Sequence, residues 1–471
     1  MDRNDALQRI AAVVGPQGVV DPADAEGMLV DERDLYRGRA ASIVKPATTA
    51  ECAAVIRICA DAGLGVVPQG GNTGYCGGAT PFDERGQVLL STSRMNRIRE
   101  VDPVGFTMTA DAGVILAQAQ RAAADEGLLF PLSLGAEGSC HIGGNLSTNA
   151  GGIAVLRYGT MRDLVLGLEV VLPNGRVLSE LKALRKDNTG YDLKSLFVGA
   201  EGTLGVITAA VLKLFPAPRA RQTVWLAVAS PDAACRLLAR ARRDSGDQVV
   251  SAEYVSRRSL DLALRHIEGA RDPLDAVYAH YLLLEFASAD EEAVLRDKVE
   301  RVLTGGIEAG EIDDGAVAES GAQREALWLL RERLPEAERR AGGSIKHDVS
   351  VRIPRIPEFL ERVEPALAQI GDFDVSVYGH IGDGNLHFNL RPPAGQGLES
   401  FRNRAAPALS RRVYDLVAEL GGSFSAEHGV GVLKTEELER YAPPERLDVM
   451  RALKRALDPD GIMNPGKVLS A

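Results

Sequence analysis

Two glycine-punctuated segments near the C-terminal end of this 471-residue chain carry residues that could do chemistry together: VYGHIGDGNLHFN, starting at Val377, and SAEHGVG, starting at Ser425. They hold three of the seven histidines, His380, His387 and His428, together with Glu427. Strand side chains alternate between faces, and the alternating runs on either side of the GDG at 382–384 predict a β-hairpin. Ser376, Tyr378 and His380 then share one face of its first strand, and His387 and Asn389 share a face of its second. The two imidazoles can meet there. With the carboxylate of Glu427 they form a three-ligand set suited to zinc, manganese or iron, with positions left for water or substrate. His428 is then the candidate general base. Singly, each of these residues reads as an ordinary satisfied polar group; the short H-x(6)-H spacing and the Glu-His pair together point to a metal. Neighbours in an extended strand point opposite ways, so Glu427 and His428 can serve one site only where the chain bends, which Gly429 and Gly431 allow.

The elements that must position these residues can be traced from the N-terminal side. Thr48 and Glu51 predict a capping box for a helix that ends near Gly63, between the strand-like runs ASIVKP and GVVPQGG. FTMTADAG, AQAQRAAADEG and LLFPLSLG form a second unit of the same kind. VLGLEVVLPNGRVLSE reads as a hairpin turning at Asn174-Gly175, and TLGVITAAVLKLF as a strand that closes an α+β domain near Pro216 to Pro218. From about Arg219, QTVWLAVA, QVVSAEYV and HYLLLEFA read as strands separated by helices rich in Ala, Arg and Glu. This second α+β domain contains the histidine hairpin. Helices follow at about 400–420 and 445–457, and the chain finishes DPDGIMNPGK and a short tail.

Composition narrows the function. A chain of this length exceeds the usual single-core limit, and its 45% apolar and 25% charged content is that of a soluble globular protein. The formal net charge of −11 and the absence of a basic run exclude a nucleic-acid surface. An anionic substrate would therefore need a local cation. The N-terminal MDRNDALQRIAAVVG is unlike a signal peptide and no long apolar run follows, so a cytoplasmic location and no transmembrane segment are expected. Cys52, Cys59, Cys76, Cys140 and Cys235 make no cluster, which argues against a disulfide framework or an iron–sulfur site. Any electron relay must come from a bound cofactor or a partner.

Three glycine-rich loops supply a place for such a cofactor: PQGGNTGYCGGA at 68–79, GSCHIGGNLSTNAGG at 138–152 and GAEGTLGVI at 199–207. Glycine lets backbone N–H groups approach a phosphate, and Asn and Thr add neutral hydrogen bonds. None is a Walker A loop or a strand-to-helix G-x-G-x-x-G. Three such loops in one domain point to a large cofactor; on the residues alone, a metal-dependent hydrolase with glycine-rich turns stays an alternative.

RKDNTGYDLKSLFVGAEGTLGVIT, GSCHIGGNLSTNAGG, LRYGTMRDLVLGLEVVL, VYGHIGDGNLHFN, SAEHGVG and DPDGIMNPGK together resemble the D-2-hydroxyglutarate dehydrogenases. These belong to the FAD-dependent vanillyl-alcohol-oxidase superfamily, beside D-lactate dehydrogenases and the glycolate oxidase D subunit. The likeness runs from about residue 40 to residue 467, and KDNTGYDLK is the run associated with the D-2-hydroxyglutarate branch. It implies an α+β fold: a PCMH-type FAD-binding domain over 1–218, a substrate cap domain with an antiparallel sheet and the metal site over 219–417, and a C-terminal helical segment over 418–471 that completes the active site. By matching motif, the pyrophosphate lies on Gly70, Gly71, Asn72, Thr73 and Gly74. Ser139, Gly143, Gly144, Asn145, Thr148 and Gly152 wrap the ribityl and phosphate parts, Glu201, Gly205 and Ile207 the adenosine side, and Asn464 closes the site. Covalent relatives attach the flavin through a histidine where this chain has Asn72, so non-covalent FAD is expected.

The resemblance further implies oxidation of a D-2-hydroxy acid, above all D-2-hydroxyglutarate, by hydride transfer to FAD, with a divalent metal such as zinc or manganese on His380, His387 and Glu427, and His428 as base. Arg331 and Lys346 match positions that bind substrate carboxylates, and Asn389 would add a hydrogen bond to one of them. Two departures stand out: Pro335 replaces a threonine of the substrate site, and His347 a tyrosine. A D-lactate or D-malate dehydrogenase and a glycolate oxidase subunit are the alternatives within this chemistry. With no nicotinamide motif, an acceptor such as an electron-transfer flavoprotein, a quinone or a cytochrome is expected, and a homodimer is compatible with the sequence.

Overall fold

The computed structural model describes residues 1–470, the side chain of Glu84 excepted, and the chain divides into two compact units. The first comprises Met1–Gly152, Gly159–Ala217 and the chain from Glu427 onwards; the second comprises Ile153–Tyr158 and Pro218–Ala426.

In the first unit, helix Thr49–Ala62 starts where the Thr48 hydroxyl accepts the N–H of Glu51 at 3.1 Å. The Glu51 carboxylate accepts the N–H of Ala47 at 2.7 Å, one residue before the partner a capping box predicts. The helix buries Cys52, Val55, Ile56 and Cys59, one stripe at i, i+3, i+4 and i+7, and ends on Gly63 in the left-handed region. Strand Gly65–Gln69 follows and pairs in parallel with Phe82–Ser91, which pairs in parallel with Arg39–Val44; Val19–Val20 adds an antiparallel edge. A second, antiparallel sheet has the order Ile98–Asp102, Thr107–Asp111, Val206–Lys213, Val165–Val171, Val177–Glu180. Its last two strands form the hairpin predicted at Asn174-Gly175. The C-terminal helices are Thr435–Tyr441 and Pro444–Leu457.

The second unit is built on one antiparallel sheet in the order Ile312–Val317, Ala220–Val228, His280–Ser288, Val249–Ser256, Asp374–Gly379, Asn385–Arg391, Asp348–Ser350. Strands 220–228, 249–256 and 280–288 are buried nearly throughout, because both faces of the sheet are covered. Helix Ala406–Glu419 runs through position 417, where the sequence suggested a boundary, and the unit continues to Ala426. The excursion Ile153–Tyr158 also differs from expectation. Ala154 packs with Val250 and Ala287, Ile153 joins the cluster around Trp225 and Tyr281, and the Arg157 guanidinium donates to the carbonyl of Ala287. Among the described residues no helix is long and apolar enough to cross a membrane.

Candidate active site

In the second unit the predicted hairpin forms from Asp374–Gly379 and Asn385–Arg391. Its register sets Tyr378 opposite His387 and Ser376 opposite Asn389, so these four share the face that alternation assigned them. His380 follows at the turn, and its ring centroid lies 5.5 Å from that of His387 with the planes at 77°. Two imidazoles so placed can supply two ligands to a divalent cation.

Behind them stands Glu253, on strand Val249–Ser256 and wholly buried. It accepts hydrogen bonds from His380 Nδ1 at 2.7 Å, Arg331 Nε at 2.7 Å and Ser251 Oγ at 3.2 Å. Burial alone would push its carboxyl up; the Arg331 guanidinium and the His380 imidazole outweigh that and hold it well below the usual carboxylate range. An ionised carboxylate only accepts, so His380 carries its proton on Nδ1 and its lone pair on Nε2. Arg331 Nη2 lies 3.5 Å from that lone pair. Arg331 occupies the last turn of helix Gly321–Glu332 and is buried.

A second buried carboxylate, Glu338, organises the other predicted cation. It pairs with Lys346 and accepts from Asn389 Nδ2 at 3.0 Å and Ser344 Oγ at 3.3 Å. The Asn389 amide also lies 3.4 Å from the Tyr378 hydroxyl, and its oxygen accepts from the N–H of His347. The Asn389 donors thus serve Glu338 and Tyr378. His347 is committed in the same way, to the Phe388 carbonyl and the Ser410 hydroxyl. Pro335 is exposed in the first turn of helix Leu334–Arg340, where its missing N–H leaves no helical bond unmade.

In the first unit the loop after strand Gly65–Gln69 is held by side chains. The Gln69 amide donates to the carbonyls of Met28 and Ala79, and the Asn72 amide to those of Gly27 at 3.1 Å and Val30 at 2.7 Å. The backbone N–H groups of Gly70, Gly71, Asn72, Thr73 and Gly74 donate to no acceptor among the described residues. A run of unmatched amides is a cradle for an anion. A Cβ on Gly71 would lie 2.1 Å from the Ser139 carbonyl oxygen, and Gly70 abuts Gly144, so the first two glycine loops meet backbone to backbone. In the second loop Gly143 packs on Ala112, Gly152 takes a positive φ against Ser133, and Thr148 donates to the Gly144 carbonyl. Asn145 is buried, its amide 3.6 Å from Cys140 Sγ, and Ser139 is exposed, its hydroxyl turned to the Ala136 carbonyl. In the third loop Gly205 packs against Val170, and Ile207 is a buried strand residue.

Glu201, also in the third loop, holds a distant part of the chain. Its carboxylate accepts the N–H groups of Val430 at 2.7 Å and Gly431 at 2.8 Å, and its carbonyl, like that of Gly78, accepts from the Asn464 amide. The Glu201 carboxylate thus anchors the segment that carries His428, and Asn464 ties the C-terminal tail to Gly78 and Glu201. Burial raises the Glu201 carboxyl, with the two backbone donors opposing. Next to the anchor Gly429 has φ 74°, and Glu427 Oε1 lies 3.7 Å from His428 Nε2. The His428 ring meets Tyr75 edge-on at 4.8 Å.

Residues 40–179 match the FAD binding domain, and residues 217–468 match the C-terminal domain of FAD linked oxidases. The chain belongs to the FAD-linked oxidases. It is 37% identical to the mitochondrial D-2-hydroxyglutarate dehydrogenase of Arabidopsis thaliana over 97% of this chain and 80% of that protein. Against the Bos taurus enzyme of the same name the identity is 39%, over 99% and 83%. The structure of p-cresol methylhydroxylase with substrate bound superposes with a TM-score of 0.77 at 17% identity, over 99% of this chain and 97% of that one, a likeness of fold. As an FAD-linked oxidase the protein takes FAD as its cofactor. The unmatched amides at 70–74 fit the pyrophosphate, and the Asn72 side chain is tied to backbone carbonyls with no group able to bond the flavin covalently.

Glu253 and Glu338 escaped the sequence reading. Their signal was a carboxylate inside a buried stretch, SAEYV for Glu253, since a charged residue there must be paired. The Gly71 contact gives a direct prediction. Gly71→Ala places a methyl group on the Ser139 carbonyl, so the loop must move and the cradle is lost. We expect this variant to purify without FAD while keeping the far-ultraviolet circular dichroism of the wild type; a yellow, stoichiometrically loaded variant contradicts the assignment.

Proposed function

We propose that the protein oxidises D-2-hydroxyglutarate to 2-oxoglutarate, releasing a proton from the hydroxyl and a hydride from the carbon that bears it. One observation carries the reading: Arg331 and Lys346 each lean on a buried carboxylate beside the His380/His387 pair. On a chain of net charge −11, such organised cations are what a dianionic substrate requires. Because Glu253 takes Arg331 through Nε and Nη2 lies beside His380 Nε2, Nη1 of the guanidinium faces a substrate carboxylate, and Lys346 answers the second.

FAD, when bound, supplies the hydride acceptor. A divalent cation, zinc or manganese by the character of the donors, would be held by His380, His387 and Glu427 and would supply a Lewis acid for negative charge developing on the hydroxyl oxygen. Glu427 directly follows Ala426, whose N–H donates to the Asp348 carbonyl at 3.2 Å, and Asp348 stands opposite His387 in the sheet. His428, the next residue, takes the hydroxyl proton. Arg331 and Lys346 fix the two ends of the substrate, and with them which hydrogen leaves. The electrons pass on to an acceptor such as an electron-transfer flavoprotein or a quinone.

A substrate panel with an artificial dye acceptor tests the reading. D-Lactate lacks the second carboxylate, and a hydrogen bond to a charged group contributes about 1.5–3 kcal/mol, so its kcat/KM should fall roughly 10- to 100-fold below that of D-2-hydroxyglutarate. D-Malate keeps both carboxylates on a shorter chain and should lie between. A preference for D-lactate overturns the choice of substrate and leaves the flavin chemistry standing.

A further inference from the structure

We infer that Glu253 is a positioning residue that sets both halves of the site at once: it fixes the tautomer in which His380 can ligate a metal, and it aims the Arg331 guanidinium. The inference rests on the metal reading above and concerns a residue that touches neither metal nor substrate. Glu253 is wholly buried, and two of its three donors are the candidate ligand His380 and the candidate substrate residue Arg331, each at 2.7 Å. Buried carboxylates of this kind orient metal-bound histidines, because the proton they hold on one ring nitrogen leaves the lone pair on the other.

Two features separate this role from that of an ordinary buried ion pair. Arg331 and Glu253 alone would satisfy each other through two parallel bonds, the preferred geometry for this pair. Here one carboxylate oxygen goes to Arg331 Nε and the other to His380 Nδ1, so the carboxylate bridges a strand-end histidine and a helix-end arginine. Secondly, Glu253 and Glu338 divide the site cleanly. Glu338 serves Lys346, Asn389 and Ser344, whereas Glu253 serves His380, Arg331 and Ser251. The two carboxylates should therefore have separable effects.

Glu253→Gln has the shape of the wild type and the wrong bonding pattern. Its amide has one accepting end and one donating end, whereas both neighbours present donors. The conflict is relieved when His380 accepts through Nδ1, which moves the ring proton to Nε2 and removes the metal-binding lone pair. The experiment is an equilibrium zinc titration of the FAD-loaded, chelator-stripped enzyme against a fluorescent zinc chelator, for wild type, E253Q, E253D and E338Q. We expect zinc Kd to rise about 10- to 100-fold in E253Q, less in E253D, and to stay within about threefold in E338Q, the range that loss of a metal ligand's outer partner typically gives. Steady-state kinetics at saturating zinc should then give E253Q a raised KM from the misaimed Arg331.

Equal zinc affinity in wild type and E253Q overturns the inference alone. A wild-type enzyme that binds no zinc or manganese overturns the metal reading and the inference with it. If E253Q fails to accumulate as folded, FAD-loaded protein, E253D decides, and a zinc Kd unchanged from wild type overturns the role. Equal weakening in E338Q and E253Q overturns it as well, since that outcome belongs to general loosening of the site.

Discussion

His428→Asn keeps FAD and loses most of its turnover. Removing a positioned base typically lowers the rate by about 10²- to 10⁴-fold, and asparagine retains polarity and approximate size without an imidazole to take the proton. Retention of FAD follows from the separation of tasks in the first unit. The amides of Gly70 to Gly74 are arranged by the anchors of Gln69 and Asn72, and neither involves His428. The 427–431 segment is held by its backbone, through Glu201 to Val430 and Gly431 and through the Cys76 carbonyl to Val432, so changing the His428 side chain leaves its path intact. The decisive measurement is anaerobic stopped-flow reduction of the bound flavin by D-2-hydroxyglutarate, which reads the chemical step apart from reoxidation. Bleaching of the flavin at the wild-type rate ends the assignment of His428 as base. Loss of the flavin itself means instead that the ring supports the cofactor through Tyr75, which it meets at 4.8 Å.

What could be read from the sequence follows the distance over which each interaction is encoded. The histidine hairpin was legible because period-two alternation and a GDG turn lie within one short stretch, and register then fixes His387 opposite Tyr378. The glycine loops were legible because a phosphate cradle needs a local run of amides. Glu253 was not, because its meaning depends on a helix end and a strand end far from it in the chain. Alternation places Asn389 on the correct face but carries no sign of Glu338, the buried carboxylate from helix Leu334–Arg340 that accepts from its amide. The partners of Glu201 are equally remote. A glutamate between glycines suggested a cofactor contact, yet its carboxylate serves backbone donors more than two hundred positions away. Arg331 could have been recognised as buried, since it follows Leu327 and Trp328 at the i+4 and i+3 spacings of one apolar helix face. Ile153–Tyr158 has no local signal, because its membership of the second unit rests on contacts remote in the chain, Ala154 with Val250 and Arg157 with the Ala287 carbonyl.

The second large effect is expected at His387. His380 is buttressed by Glu253, whereas His387 stands on the central face of the hairpin against Tyr378, with ring centroids 5.2 Å apart. Replacing His387 by alanine removes a ligand and leaves the Glu253 anchor in place, so the change tests metal chemistry separately from the integrity of the site. Lewis-acid stabilisation by a bound metal is worth several kcal/mol, which corresponds to roughly 10³-fold or more in rate. We expect His387→Ala to retain FAD, to hold less than one zinc per several chains by elemental analysis, and to lose turnover by that factor. Chelation of the wild-type enzyme should reproduce the loss, and added zinc or manganese should restore the wild type but not the variant. The comparison isolates the metal because FAD is retained in every arm. An enzyme indifferent to chelator, paired with an active His387→Ala variant, would remove the metal from the mechanism and leave His380 as a hydrogen-bonded group between Glu253 and Arg331. In that event the stabilisation of the developing alkoxide must come from Arg331 itself, whose Nη2 already lies 3.5 Å from His380 Nε2, and Arg331→Lys should then carry the defect in kcat that His387→Ala lacks.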